Sequence, residues 1–489
     1  MATRSTNYAL TFAVLGTAAL AFALLQSLII PAIPQLEQTL HTSESGASWL
    51  LTAYLLSAAI ATPILGRVGD MLGKEKIIVA VLLALTVGSL ISALATSLPV
   101  MLVGRVIQGT GGAIFPLAFG IIRDEFPAER VAGAIGVMSA ILGAGAGAGI
   151  VLAGPILVHL NYHWLFWIPM IMSAIATVAT FVFVPESPVR SPGRINWLGA
   201  ALMSAWLVTG LLAISYAPLW GWGDTTVIAL LGATAVLMVL WVISENRSES
   251  PLVDMRMMRI RAVASTNLAA LLFGFGMFAM FITLPQFTET PTRAGYGFGA
   301  SVTQSGLYLA PFAAAMVIIA PMTGRLSKAF GSKMVLVVGS LVTGSSYLLL
   351  ILNHNDQWSI YTATGLLGIG IAMGFASMAN LIIEAVPAQQ TGVATGMNTN
   401  IRNIGAALGS GIATSLVVSG LAPGGLPKEH GYLLAFAVSG LALVVAALAA
   451  LTIPKRTVRS VVEREPHPAL TAEAEVIVGS IAFGPEDLA

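Results

Sequence analysis

Fourteen apolar stretches, each about the length that crosses a bilayer core as a helix, run through this chain, and no other feature limits its fold so strongly. They cover residues 8–31, 49–65, 77–95, 100–122, 131–157, 164–184, 195–217, 225–244, 262–287, 301–323, 334–352, 358–383, 391–419 and 432–453. Inside lipid every backbone polar group must find a partner within its own segment, so stretches of this kind read as helices. With 56% hydrophobic and only 9% charged residues in 489, the expectation is an all-α polytopic membrane protein rather than a set of soluble domains. The first stretch is longer than the apolar core of a signal peptide and is read as an uncleaved helix. A net charge of +1 offers no basic face for nucleic acid. The absence of cysteine removes thiol chemistry, and all six histidines fall in connectors or the tail. No metal centre and no cofactor is therefore expected.

Lysine and arginine set the expected orientation. With the N-terminus in the cytoplasm, 19 of the 23 basic residues, beginning with Arg4, fall in inward connectors or the tail. Only Arg293 and Lys428 fall outward, while Arg105 and Arg402 lie within spans. One missed or invented helix would spoil that segregation. The expected location is the cell (inner) membrane, with both termini cytoplasmic.

An internal repeat divides the chain. A shift of 260 residues carries Asp124, Pro127, Gly136, Gly145 and Gly149 onto Glu384, Pro387, Gly396, Gly405 and Gly409. Near a shift of 258, GRVGDMLGK at residue 66 finds a weaker echo in GRLSKAFGSK at 324, which contains Arg325 and Gly331. Both members of each pair fall on one side of the membrane, so the halves are parallel repeats. The expected units are a six-helix bundle over 1–190, an inserted helix pair over 191–250, a second six-helix bundle over 251–454 and a disordered cytoplasmic tail over 455–489.

The stretch GRVGDMLGKEK concentrates charge in a chain that has little. Gly66 and Gly73 allow a tight turn, and Lys74 and Lys76 serve the inside-positive rule. A phosphate-binding loop is excluded, because Val68 and Glu75 stand where Gly and Ser or Thr are required. A plain basic connector would not need the spacing Gly-x-x-x-Asp-x-x-Gly-Lys, nor its recurrence one half later.

With this motif the chain resembles the major facilitator superfamily, specifically its fourteen-helix drug:proton antiporter branch. The resemblance implies two six-helix bundles plus two inserted helices. It also implies that Asp70 holds an inward gate by facing the N-terminal end of a helix that starts near Thr391. A second motif, RVIQGTGGA, places Arg105 in the fourth span, and the resemblance assigns that arginine to a proton relay. Arg105, Gln108, Gly112, Phe115 and Phe119 share one helical face, and a charge at that depth is expected to face a wet cavity. A structural arginine bonded to backbone carbonyls is the alternative. The third motif is the glycine run of the fifth span, Gly136, Gly145, Gly149 and Gly154, which resembles the antiporter motif except that Ile150 stands where its proline would be. Small residues four apart also let helices pack closely with no further role.

The implied mechanism is alternating access around a cavity. Gln26 stands where many members of the branch carry an acid. Further cavity candidates are Asn267, Phe278 and Phe281 on the ninth span, Asn380 on the twelfth, and Asn398 and Arg402 on the thirteenth, although any one phenylalanine is as readily core. The carboxylates left to carry a proton include Asp70, Asp124, Glu289 and Glu384, and each taken singly could be a solvated helix-end charge. Two deep arginines without a buried acid predict a cavity that favours neutral or anionic amphiphiles over multiply charged cations. The expected partners are a lipophilic small molecule, protons and the bilayer, with the protein as a monomer. An importer on the same fold and a non-transporting receptor are the alternatives. No enzyme is expected.

Overall fold

The computed structural model describes residues 7–187, 189–190, 194–419 and 426–454, and every regular element among them is helical. Arg4, expected to be cytoplasmic, and the tail from residue 455, expected to be cytoplasmic and disordered, lie outside the described residues. The first half comprises α1 (Tyr8–Leu28), α2 (Ile33–Thr39), α3 (Glu44–Leu72), α4 (Lys74–Leu94), α5 (Leu98–Gly109), α6 (Ile114–Glu125), α7 (Ala128–His159) and α8 (Trp164–Phe183). An inserted pair follows, α9 (Trp197–Trp220) and α10 (Thr225–Arg247). The second half comprises α11 (Met255–Arg259), α12 (Arg261–Glu289), α13 (Val302–Tyr308), α14 (Ala310–Phe330), α15 (Ser332–Leu352), α16 (Gln357–Ala385), α17 (Thr391–Val418) and α18 (Glu429–Leu451).

Among the described residues, fourteen spans are long and apolar enough to cross a membrane, as the hydropathy predicts. The departures come at prolines and glycines. The first span ends in a 3₁₀ turn over Ile30–Ala32, and the unexpected α2 follows, each with a proline near its start. The fourth span is two helices joined by a 3₁₀ segment over Thr110–Ala113, at the run Gly109, Gly111 and Gly112. The stretch from Gly66 is not a loop. Gly66 and Asp70 belong to the last turns of α3, and Gly73 alone leaves the helix, with φ of 116°. Gly331 does the same between α14 and α15 with φ of 82°. A left-handed φ suits glycine, so each residue provides the reversal that lets the next helix start at once.

Each half has its own apolar core, one built around Phe115, Phe166 and Leu85, the other around Phe273, Phe287 and Phe312. The inserted pair makes a third, with Trp206 and Trp241 packed beside Ala59 of α3 and Val393 of α17. Helix α9 thus lies against both α3 and α17, and α10 lies outside α9.

The glycine run of α7 works on two faces. Residues two apart on a helix point to opposite sides. A methyl on Gly145 would stand 2.6 Å from the Ala23 side chain of α1, and Gly149 is crowded by Ser27 of the same helix. A methyl on Gly147, by contrast, would stand 2.9 Å from the Ala313 side chain, and Gly143 is crowded by Met316, both on α14 of the other half. A methyl on Gly136 would stand 3.2 Å from the Ala320 carbonyl oxygen and Gly154 faces Thr303, again across the halves. The repeat is structural as well: Gly405 and Gly409 of α17 crowd the Leu271 and Phe275 carbonyls of α12 as Gly145 and Gly149 crowd α1.

Candidate functional site

At the end of the bundle that carries the Gly66 stretch, α17 begins without a side-chain cap of its own. Asp70, from the other half, accepts from the Gly392 N–H at 3.3 Å and the Val393 N–H at 3.2 Å. A carboxylate there satisfies donors that a helix start leaves open and meets the positive end of its dipole. The approach needs two glycines, since a methyl on Gly66 would stand 2.8 Å from the Gly392 oxygen. Behind Asp70, the fully buried Lys74 reaches Asp124 at 2.8 Å and Asp70 at 3.5 Å. The Ser187 hydroxyl also donates to Asp124. Gly120 leaves room for the lysine stem, because a methyl there would lie 2.6 Å from its Cδ and Cε. Two carboxylates around one ammonium, all buried, form a network in which each member depends on the others.

One further strap closes the same end, and a second joins the halves near the middle of α3. Arg123 of α6 donates to the carbonyls of Val386 at 2.9 Å and Pro387 at 3.3 Å and to the Thr391 hydroxyl. Asn400 of α17 donates to the Ala59 carbonyl at 2.6 Å. The sequence marked Arg123 only as an inward charge. Its reach across the halves comes from folding that brings the end of α6 beside the start of α17. Arg325, grouped with the gate by the repeat, makes no ion pair among the described residues.

Away from that end a chain of chambers opens between the halves. The outer one, about 350 Å³, is lined by Gln26, Tyr54, Phe278, Phe281 and, at its mouth, Glu289. A middle one shares Gln26, Tyr54, Phe278 and Phe281 and adds Phe115 and Arg402. An inner one shares Phe115 and Arg402 and ends at Ser139, Thr395 and Asn398. Glu289 is the one carboxylate among these lining residues, and Arg402 the one cation. The Arg402 guanidinium carbon sits 4.5 Å from the Phe375 ring centroid.

Arg105 is placed differently from expectation. It is fully buried, donates to the Leu50 carbonyl at 2.9 Å and the Gln108 side chain at 2.8 Å, and lies 4.1 Å from the Tyr54 ring centroid. Gln108, expected in the cavity, is equally sealed and donates to Ser89 at 3.2 Å. Neither lines a chamber: a carbonyl, an amide and an aromatic face surround the guanidinium, whose other terminal nitrogen is buried without a hydrogen-bond partner. Tyr54, which the sequence did not single out, stands between Arg105 and the cavity.

The remaining candidates divide. Asn398 lines the inner chamber and donates to Asn267 at 2.8 Å, a bridge that removes Asn267 from the lining. Asn380 is buried outside the chambers with its amide nitrogen unpartnered. Asp124 belongs to the Lys74 network, and Glu384 is exposed in the last turn of α16.

Comparison with known proteins converges on one family. The family model of the Major Facilitator Superfamily matches residues 15–410 and 267–484. The chain is 27% identical to the tetracenomycin C resistance and export protein of Streptomyces glaucescens, over 81% of this chain and 73% of that one. It is 26% identical to the multidrug resistance protein Stp of Mycobacterium tuberculosis, covering 80% and 72%. It is also 26% identical to a uridine/deoxyuridine transporter of Lactococcus lactis, covering 79% and 82%. Among solved structures, the human organic anion transporter MFSD10 overlays with a TM-score of 0.68 at 16% identity, covering 91% of this chain and all of that one. The proton:xylose symporter XylE overlays at 0.64 and 15%, covering 91% and 95%. Fourteen spans, halves that repeat and meet around a central cavity, and a family match across most of the chain give one conclusion: this protein belongs to the Major Facilitator Superfamily and is a membrane transporter, not an enzyme.

Proposed function

We propose that the protein is a proton-coupled exporter of lipophilic small molecules, working by alternating access in the cell membrane with both termini in the cytoplasm. The observation that carries this reading is the asymmetry of the cavity. It is closed at the end where Asp70 caps α17 and widens toward Glu289 at the other. In this reading the closed end faces the cytoplasm and the structure is an outward-facing state. Rocking about α7, whose glycines contact both α1 and α14, would break the Asp70 cap and the Arg123 strap and expose the cavity inward. Similarity to a tetracenomycin exporter and a multidrug resistance protein supports outward transport.

The carboxylates sort by position. Asp124 is committed to Lys74 and Asp70 to the latch, whereas Glu289 lines the mouth where a proton from outside would arrive. Glu289 is therefore assigned the proton, Arg105 is a positioning residue behind Tyr54, and the aromatic chambers hold the substrate. The test is reconstitution into liposomes carrying a pH-sensitive dye in the lumen. Addition of a transported aromatic compound should drive proton movement opposite to the compound. Glu289→Gln should abolish that proton signal and leave downhill exchange intact. Proton movement in the same direction as the compound would make the protein an importer, and an unchanged signal in Glu289→Gln would move the proton elsewhere.

A further inference from the structure

We infer that the inner chamber is a head-group site for a single negative charge, so that the preferred substrates are aromatic monoanions whose acidic group lies against Arg402 while the apolar body fills the wider chambers above. This rests on the transport reading and names its substrate class.

Arg402 makes no ion pair with any described residue, and its contact in the cavity is the face of Phe375. A cation at membrane depth is costly, and an aromatic face recovers only part of its lost hydration. An anion would recover far more, since charge-assisted hydrogen bonds are about twice as strong as neutral ones. Arg105 is the contrast: it has a carbonyl, an amide and a tyrosine, and although one terminal nitrogen is unpartnered it has no opening to the chambers through which a substrate could reach it. The second observation is Ser139 of α7, whose buried hydroxyl lines the inner chamber and has no hydrogen-bond partner. Buried hydroxyls normally have one. Ser139 and Arg402 thus present unused donors from opposite halves of the protein to the same space.

The space is small, about 10 Å³, which is room for about one water-sized group. A carboxylate, sulfonate or phenolate oxygen fits that scale, and a second charged group does not. Around it the lining is apolar, with Phe115, Phe119 and Leu142. The nearest chamber carboxylate is Glu289, which lines only the outer chamber, so no acid competes for Arg402 inside. Because the two donors come from different halves, a bound anion would bridge the bundles, and its affinity would change as they rock.

The experiment uses the full chain purified in detergent. Its nine tryptophans serve as energy donors to 1-pyrenebutyrate or to its uncharged methyl ester, with tetraphenylphosphonium as a competing cation. Pyrenebutyrate should bind about tenfold more tightly than the ester, the scale of one charge-assisted contact. Arg402→Gln should erase that preference with ester affinity unchanged, which also reports that the variant is folded. Arg402→Lys should keep part of it, and Ser139→Ala should weaken the anion alone by about threefold. Equal or weaker binding of pyrenebutyrate in the wild type, or a preference that survives in Arg402→Gln, would overturn the inference. Anion preference without any substrate-driven proton movement in liposomes would instead overturn the export reading and leave the head-group site standing.

Discussion

The two repeated junctions at the closed end share a backbone and differ in charge. Gly66 of α3 crosses Gly392 of α17, and Gly324 of α14 crosses Gly133 of α7 in the other half. In the first crossing Asp70 caps the facing helix through two N–H groups. In the second, the residue at the corresponding place is Lys328, which donates to the Glu129 carbonyl, and α7 begins with no side-chain cap. The steric half of the motif is present at both junctions and the electrostatic half at one. The close approach is thus a requirement of the fold, while the carboxylate is a device that sets how firmly one junction stays shut.

That difference can be broken or sharpened by substitution. The largest effect is expected from Lys74→Met, which leaves Asp70 and Asp124 buried without their shared counter-charge. Removing one partner of such a network costs about 3–5 kcal/mol. Thermal unfolding of the purified protein should show it, and a wild-type melting temperature would mean that the network is dispensable. Next come Gly66→Ala and Gly324→Ala, in which a methyl meets opposing backbone at both crossings. Overpacking of this kind costs about 1–3 kcal/mol, and the two losses should be similar in the same unfolding measurement; a loss at Gly66 alone would deny the steric equivalence.

Asp70→Asn should act on the closed state more than on the fold, weakening the cap by about 1–2 kcal/mol. Because the chain has no cysteine, a single Ala379→Cys in the inner chamber is a clean reporter. Its labelling by a membrane-impermeant maleimide from the closed end should accelerate about tenfold in the Asp70→Asn background. Unchanged labelling would remove Asp70 from the latch. Lys328→Ala should give the smallest change, less than about twofold in that labelling, since exposed charges contribute little. An effect as large as that of Asp70→Asn would make the junctions electrostatic equals.

Much of the architecture was readable from residue order. Span number follows from local hydropathy, and the repeat from matched glycines and acids, because both are properties of short windows. The reversals at Gly73 and Gly331 could be placed to within a few residues, but the helical state of Gly66 could not, since its packing partner lies more than 300 residues away. The site was less legible. Phe115, Phe278, Phe281, Gln26 and Arg402 line the chambers, whereas Gln108, Asn267 and Asn380 do not. Tyr54 and Ser139 carry no motif, and Arg123 shows in the sequence only as an inward charge.

The two deep arginines mark the boundary. Their presence within apolar spans, and the need for each to be satisfied, is plain in the one-dimensional pattern of charge against hydrophobicity. Whether protein groups or an open cavity satisfies each is not. Leu50, Gln108 and Tyr54 enclose Arg105, while Arg402 is left with an aromatic face and open space. Burial of a charge depends on helices distant in the chain, and only their assembly tells a structural cation from one free to meet a substrate.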